Sequence, residues 1–371
     1  MKLGIDAQHL SHDLTGIGRY TWEMLKELSQ QPTQIVAYLP SAPVVDTASL
    51  PQVQFKIANM PSSLGRTLWA QTVLPWQAQQ DDLDVFWSPA HRLPWLLSRR
   101  IPTAVTIHDV TWKIVPETMR RSTYWLERLC MPWALRRAQA ILSDSQATTR
   151  DLVRLGMADA KKIHTVALGR TALPEPGPAG MLQARGIEPN YFLFVGTLEP
   201  RKNLSALLAA YASLQAQVKR SMQLVIVGGR GWGNLNLPDL LAQHQLHSHV
   251  KVLGFVDDAL LSTLYKHAQF LAMPSLYEGF GLPALEAMAQ GRCVLASAGT
   301  SIAEIVQDCG LLVDPRNTPQ IARALHQLIT EPAICQQLAA QAAQVAARFT
   351  WAGCGQQTLQ ALRLAQQATI K

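Results

Sequence analysis

The stretch Phe270-Leu271-Ala272-Met273-Pro274-Ser275-Leu276-Tyr277-Glu278-Gly279-Phe280-Gly281-Leu282-Pro283-Ala284-Leu285-Glu286-Ala287-Met288-Ala289 decides the reading of the chain. Its first four residues form a short apolar run of the kind buried on both faces in a parallel sheet. Its last residues read as a helix, with Pro283 at the first helical position, where a missing N–H costs nothing. Strand, loop and helix in immediate succession are the repeating unit of an α/β fold. Gly279 and Gly281 let the backbone approach a ligand closely, and the helix N-terminus adds unpaired N–H groups and partial positive charge. Glu278 in the loop and Glu286 in the helix suit hydroxyl groups, because an ionised carboxylate only accepts hydrogen bonds. Amides for phosphate with carboxylates for hydroxyls on either side describe a nucleotide-sugar pocket. A plain corner with two solvated glutamates is the other reading, and segments elsewhere weigh against it.

The same strand–helix rhythm runs through both halves. Strand-like runs fall at 3–6, 35–39, 85–87, 104–107, 140–143 and 163–166, then at 191–195, 223–227, 250–253, 270–273, 294–296 and 311–313. Helical patterns intervene at 18–29, 66–79 and 122–138, and at 204–218, 259–267 and 321–330. This alternation predicts parallel, doubly wound sheets. Between the halves, Leu173-Pro174-Glu175-Pro176-Gly177-Pro178-Ala179-Gly180 is the natural linker. Two such domains place a ligand cleft between the carboxyl ends of their sheets.

Three further segments should face that cleft. Gly196-Thr197-Leu198-Glu199-Pro200-Arg201-Lys202-Asn203 follows the first strand of the second half, so Arg201 and Lys202 can reach a diphosphate. Fixed cations there would stabilise charge that grows as a glycosidic bond breaks. Two solvated residues before a helix, with Asn203 as its cap, are the alternative. Thr15-Gly16-Ile17-Gly18-Arg19-Tyr20 is either a phosphate-facing loop or an ordinary strand-to-helix turn. His108-Asp109 ends the run 103–107, where a neutral imidazole can bond a sugar hydroxyl; a satisfied structural histidine is the plainer choice. His9, His12 and His91 carry no such argument.

Glu278 and Glu286, eight positions apart around Gly-Phe-Gly, resemble the E-x7-E motif of retaining glycosyltransferases, in particular glycosyltransferase family 4. The segment 196–203 is similar to the family's G-x-L-x-x-R-K-N run. The resemblance implies a GT-B architecture of two Rossmann-like domains facing a central cleft. Residues 1–172 would form the acceptor-side domain, 173–190 the linker and 191–350 the nucleotide-sugar-binding domain. The helix over 351–371 would pack back on the first domain. It also implies roles. Arg201 and Lys202, with amides of Gly279, Phe280, Gly281 and Leu282, hold the donor phosphates; Gly16 and Gly18 lie against them. Glu286 takes the ribose hydroxyls and Glu278 the sugar hydroxyls. His108 and Asp109 match the family's His-Asp pair, and Gly254-Phe255 resembles its base-recognition loop. No side chain looks like a committed nucleophile, so the departing phosphate is expected to take the acceptor's proton. The motifs most resemble bacterial GDP-mannose-dependent mannosyltransferases of O-antigen or exopolysaccharide assembly, acting on a saccharide or lipid-linked acceptor.

Composition narrows the rivals. Apolar residues make up 48% of the 371 and charged ones 16%, which suits globular domains and not disorder. No apolar run approaches membrane-spanning length, the N-terminus turns polar too soon for a signal peptide, and five scattered cysteines favour reduced thiols. A cytoplasmic protein, peripheral on the inner membrane in one reading, is expected. The net charge of +7 sits mainly in the first half, where 19 Lys and Arg face 14 Asp and Glu up to position 174. That suggests an anionic partner. Residues 112–137 interleave Trp112, Trp125 and Trp133 with arginines, which suits either an anionic membrane or a helix with its Trp face packed inward. No nucleic-acid motif supports a binding module. Asp82-Leu83-Asp84 spells D-x-D but precedes an ordinary strand, and no histidines have metal-ligand spacing, so no metal or other cofactor is expected. A UDP-sugar transferase or epimerase, or a phosphorylase carrying pyridoxal phosphate, is the rival on the same architecture.

Overall fold

A computed structural model of the chain describes residues 1–12, 16–233 and 236–368. Two compact units result: Met1–Val110 with Trp125–Gly169 and Thr350–Lys371, and Thr111–Tyr124 with Arg170–Phe349.

The first unit holds β1 (Lys2–Asp6), β2 (Gln34–Leu39), β3 (Val53–Ile57), β4 (Val85–Ser88), β5 (Thr103–Ile107), β6 (Ala140–Ser143) and β7 (Ile163–Thr165). They form one parallel sheet in the order β3-β2-β1-β4-β5-β6-β7. The second unit holds β8 (Tyr191–Val195), β9 (Gln223–Val227), β10 (Val250–Gly254), β11 (Phe270–Met273), β12 (Cys293–Ser297) and β13 (Gly310–Val313), ordered β10-β9-β8-β11-β12-β13. In both sheets the order reverses once, between β1 and β4 and between β8 and β11. Loops leaving the carboxyl ends of such a pair diverge to opposite faces and open a crevice for a ligand.

Burial explains these strands. All of β4, β5, β6, β8, β11 and β12 is buried, so each can be a plain apolar run. In the second unit Phe192 of β8 stacks on Phe270 of β11 with centroids 5.0 Å apart, and Tyr211 meets Phe192 edge-on at 5.3 Å. Burying each ring stabilises by about 2–3 kcal/mol. The pair anchors the two strands whose loops carry the site.

The helix Trp351–Gln367 lies on the first unit, against β4, β5, β6 and the helix Gly16–Ser29. Thr350 caps it, its hydroxyl accepting from the Gly353 N–H at 3.1 Å. Its start packs so tightly on Gly169 that a Cβ there would come within 2.5 Å of the Trp351 indole.

Local departures from the sequence pattern have physical causes. The helix expected over 66–79 is two helices, Ser63–Gln71 and Val73–Gln80. Pro75 lacks an N–H, and its ring conflicts with the carbonyl four residues back, that of Gln71. The helix expected over 204–218 stops at Ala212 and resumes over Ala216–Ser221. There Lys219 Nζ caps the Ala212 carbonyl at 2.9 Å, and the Tyr211 hydroxyl donates to Met222 O at 2.5 Å. The segment after Gly169 is docked rather than loose. Ser262 Oγ donates to Pro174 O at 2.6 Å, and Gly177 N donates to Thr263 Oγ1 at 2.8 Å.

Candidate active site

At the reversal point of the second sheet, the loop after β8 meets the loop after β11. Pro200 starts a 3-10 turn, Pro200–Lys202, that aims two successive cations at Glu278. Lys202 Nζ donates to Glu278 Oε1 at 2.5 Å, and Arg201 Nη1 donates to Oε2 at 2.7 Å. Ser275 Oγ also donates to Oε1, at 2.8 Å. The second Arg201 nitrogen, Nη2, donates to Glu199 Oε1 at 2.7 Å. Glu199, Lys202 and Glu278 are all buried. Burial alone would raise the Glu278 pKa, but the two cations outweigh it and hold the carboxyl down at about 2. Burial raises the Glu199 pKa, with Arg201 and Lys202 opposing and a net shift upward.

The two cations are therefore balanced by two carboxylates. An ionised carboxylate offers about four lone-pair positions, and Glu278 gives three to Lys202, Arg201 and Ser275, leaving about one for a ligand. Lys202 uses one of three donors on Glu278, which leaves N–H groups for an incoming anion.

Above this cluster the chain turns into the helix Leu282–Ala289. Gly281 has φ +111°, and a Cβ on it would meet Ile302 Cγ1 at 2.7 Å, so only glycine fits. Ser301 Oγ fixes the loop by donating to the carbonyls of Glu278 at 2.7 Å and Phe280 at 3.0 Å. The N–H groups of Phe280, Gly281 and Leu282 donate to no group among the described residues. One turn into the helix, Glu286 is buried and accepts from the Tyr265 hydroxyl at 3.0 Å. Gly254 ends β10 with φ +71°, and the Phe255 ring beyond it is 85% exposed.

In the first unit His108 follows β5 and Asp144 follows β6. His108 Nδ1 lies 2.6 Å from Asp144 Oδ2, and Nε2 lies 2.9 Å from Pro89 O. Both partners only accept, so both ring nitrogens carry hydrogen in this arrangement and the ring is an imidazolium. Burial lowers its pKa, but the Asp144 charge and hydrogen bond, the Pro89 carbonyl and the Asp109 charge turn the net shift upward. The neutral imidazole of the sequence reading is thus replaced by a cation whose two N–H groups are already engaged. Gly16 and Gly18 lie in the first turn of the helix Gly16–Ser29, and Thr15 falls outside the described residues. Asp84 of the D-x-D accepts from Lys2 N at 2.6 Å, at the amino end of the sheet.

A family model described as Glycosyltransferase Family 4 matches residues 14–170, and one described as Glycosyl transferases group 1 matches residues 183–345. The chain is 30% identical to the O-antigen chain mannosyltransferase B of Escherichia coli over 98% of its own length and 100% of that protein. The chain belongs to glycosyltransferase family 4. Among solved structures, this glycosyltransferase resembles sucrose-phosphate synthase from Thermosynechococcus elongatus with a TM-score of 0.78 at 19% identity, covering 99% of this chain and 100% of that one. It resembles Anabaena Alr3699/HepE in complex with UDP and glucose with a TM-score of 0.75 at 20% identity, covering 98% and 99%. The fold is GT-B.

In the glycosyltransferase's site region His91 gave no sequence signal, and Asn203 was read as a helix cap. His91 Nε2 accepts the His108 N–H at 3.1 Å, while Nδ1 faces Glu127 Oε2 at 3.3 Å. An Nε2 that accepts must leave its hydrogen on Nδ1, so His91 is a neutral bracket behind His108. Asn203 sits at the N-cap position of the helix Leu204–Ala212, yet its side chain does not cap it. It adopts φ +60° and donates through Nδ2 to Pro274 O at 2.9 Å and Pro315 O at 2.7 Å, tying the cationic loop to β11 and β13. Among the described residues no group of three His, Cys, Asp or Glu is placed to hold a metal ion.

Proposed function

We propose that this glycosyltransferase moves a mannosyl group from GDP-mannose to a saccharide or lipid-linked acceptor in cell-surface polysaccharide assembly, with retention at the anomeric carbon. The observation that carries the reading is the buried Lys202–Glu278 ion pair, joined by Arg201, beneath the N–H groups of Phe280, Gly281 and Leu282. In this reading the spare Lys202 donors, Arg201 and the loop amides hold the diphosphate, whose charge grows as the sugar departs. The remaining acceptor position on Glu278 orients a sugar hydroxyl, and Glu286 faces the ribose. His108 and Asp109 lie on the sugar side, as the family resemblance has it, with His108 acting through its charge and not through a hydrogen bond, since Asp144 and Pro89 take both its N–H groups; Phe255 serves the base. The leaving phosphate oxygen takes the acceptor's proton on the same face, so the protein supplies no nucleophile. Mannose as the sugar is supported by full-length similarity to an O-antigen mannosyltransferase. A lipid-linked acceptor would place the work at the cytoplasmic membrane surface; no helix among the described residues is long and apolar enough to cross a membrane.

A UDP-sugar donor is the second reading, favoured by the likeness to a protein solved with UDP and glucose. A donor panel of GDP-mannose, UDP-glucose, UDP-GlcNAc and ADP-glucose, with EDTA present and nucleotide release followed, separates the two. Turnover of GDP-mannose alone is expected. Preference for a UDP-sugar would overturn the donor, and dependence on added metal would overturn the metal-free mechanism.

A further inference from the structure

The first unit carries an apolar, arginine-rimmed face at the end of its sheet away from His108. A cavity of about 520 Å³ opens there between Trp95 and Trp133, whose ring centroids lie 6.3 Å apart, and is lined by Arg99, Arg136 and Arg137. Arg137 is a fixed part of its wall. Its Nη2 donates to Ser98 O and Ile101 O, each at 2.9 Å, and its Nη1 to Thr103 Oγ1 at 3.1 Å. Those partners precede or begin β5, whereas His108 follows its far end, roughly 13 Å along the strand. Arg99 and Arg136 are exposed and have no carboxylate partner among the described residues.

Apolar surface extends from the cavity in two directions. Along the helix Arg121–Arg137, Leu126, Leu129 and Trp133 recur at helical spacing on one face, with Leu129 62% exposed. On the other side, Trp95 N donates to Gln71 Oε1 at 2.8 Å, and Gln79 Nε2 donates to Leu96 O at 3.3 Å. These bonds set the exposed Trp95 and Leu96 beside exposed Trp76, one turn from Gln79. Trp112, by contrast, is buried, so the face is not the stretch 112–137 of the sequence reading but a surface built from three segments.

We propose that this face docks on an anionic bilayer, with the Arg99–Arg136–Arg137 cavity taking a lipid headgroup phosphate and the Trp95–Leu96 and Leu126–Leu129 surfaces entering the interfacial layer. Charge complementarity selects this occupant. On the two segments that carry the cavity and the leucines, 93–100 and 121–137, Arg99, Arg100, Arg128 and Arg136 are exposed cations and the one acid, Glu127, is buried. Guanidinium groups match phosphate in two-pronged geometry, and indoles favour the headgroup layer. The exposed leucines have no use against a saccharide and a direct one against acyl chains. The inference rests on the reading of a membrane-presented acceptor for its purpose, not for its test.

The test is co-sedimentation with phosphatidylcholine vesicles made with and without phosphatidylglycerol. Transfer to a water-soluble acceptor and thermal melting are measured in parallel. Wild type should partition onto the anionic vesicles at least about 10-fold more strongly, losing this at high salt. Arg99→Glu with Arg136→Glu should abolish the preference, and Trp95→Ser with Leu96→Ser should weaken binding to anionic vesicles. Both variants should keep the wild-type melting temperature and soluble transfer. Equal partition onto the two vesicle types, undiminished binding by the charge-reversal variant, or saturation of the cavity by a phosphorylated saccharide with vesicles left unbound would overturn the docking surface. Wild type that binds anionic vesicles yet transfers no sugar would overturn the transferase reading and leave the docking surface standing.

Discussion

Lys202 and Glu278, 76 positions apart, form a buried ion pair of 2.5 Å between the loops that leave β8 and β11. Arg201 holds the other carboxylate oxygen, so one side chain fixes both cations. Glu278→Gln keeps the shape but leaves the buried Lys202 and the part-buried Arg201 short of charge, which should cost about 3 kcal/mol of stability. It should lower kcat by about 100-fold or more, while GDP affinity, favoured by the added positive charge, should not weaken. Lys202→Met should do the reverse and weaken GDP binding by roughly 10-fold or more, since a hydrogen bond to a charged group is worth about 1.5–3 kcal/mol. Calorimetric titration with GDP and steady-state kinetics on both variants separate these effects. Parallel losses in both quantities for both variants would contradict the division of labour.

His108 carries a pH signature. Its pKa is raised in the folded state, so its contribution to stability is complete below the unfolded value of 6.5 and fades as pH rises through the folded value. Melting temperature should therefore fall with pH across that window in wild type. Asp144→Asn, which removes the charge holding the proton, should flatten the fall. Urea or thermal melts from pH 6 upward give the answer, and identical slopes in the two proteins would contradict an imidazolium at His108.

Asp6, at the carboxyl end of β1, behaves as a second buried acid. Burial raises its pKa to about 6, against the hydrogen bonds from Gln8 and the charge of Arg92. Its favourable contribution is complete below pH 3.8 and is lost as pH rises through about 6. At pH 7 the ionised group then costs roughly 3 kcal/mol. Asp6→Asn should raise the melting temperature by several degrees at pH 7 and change it little at pH 4. A variant that loses stability at pH 7 would show that Arg92 and Gln8 outweigh burial.

Asn203 tests how the cationic loop is held. Asn203→Ala faces the left-handed backbone and loses both side-chain hydrogen bonds, which together should cost about 2–4 kcal/mol. Asn203→Gly relieves the backbone term and should recover about 1 kcal/mol. Chemical denaturation of the second unit's transition measures both. Equal losses would mean that the bonds to Pro274 and Pro315 carry the whole effect.

The parallel sheets were legible because most of their strands are buried on both faces and so appear as plain apolar runs, as in Phe192-Leu193-Phe194. Strand β3 was not. Val53-Gln54-Phe55-Lys56-Ile57 lies on the sheet edge, where one face meets water and the run alternates. Arg201, Lys202 and Glu278 were legible as residues of two loops at strand ends because the turn residues around them carry a local signal, Pro200 on one side and Gly281 on the other. Their mutual neutralisation was not, since it depends on side-chain geometry between distant loops. His91, Glu127 and Asp144 stayed hidden for the same reason. Asp144 lies 36 positions from the histidine it charges. The αL turn at Asn203 is a backbone choice that Pro-Arg-Lys-Asn does not announce, because Asn caps helices equally well.

The most direct measurement is a crystal structure of the wild-type protein with the nucleotide-sugar donor bound. The account predicts the diphosphate within hydrogen-bonding distance of Lys202 Nζ and of the N–H groups of Gly281 and Leu282, with a sugar hydroxyl on Glu278. A donor seated away from the loops after β8 and β11, or bound with Lys202 contacting only Glu278, would contradict it.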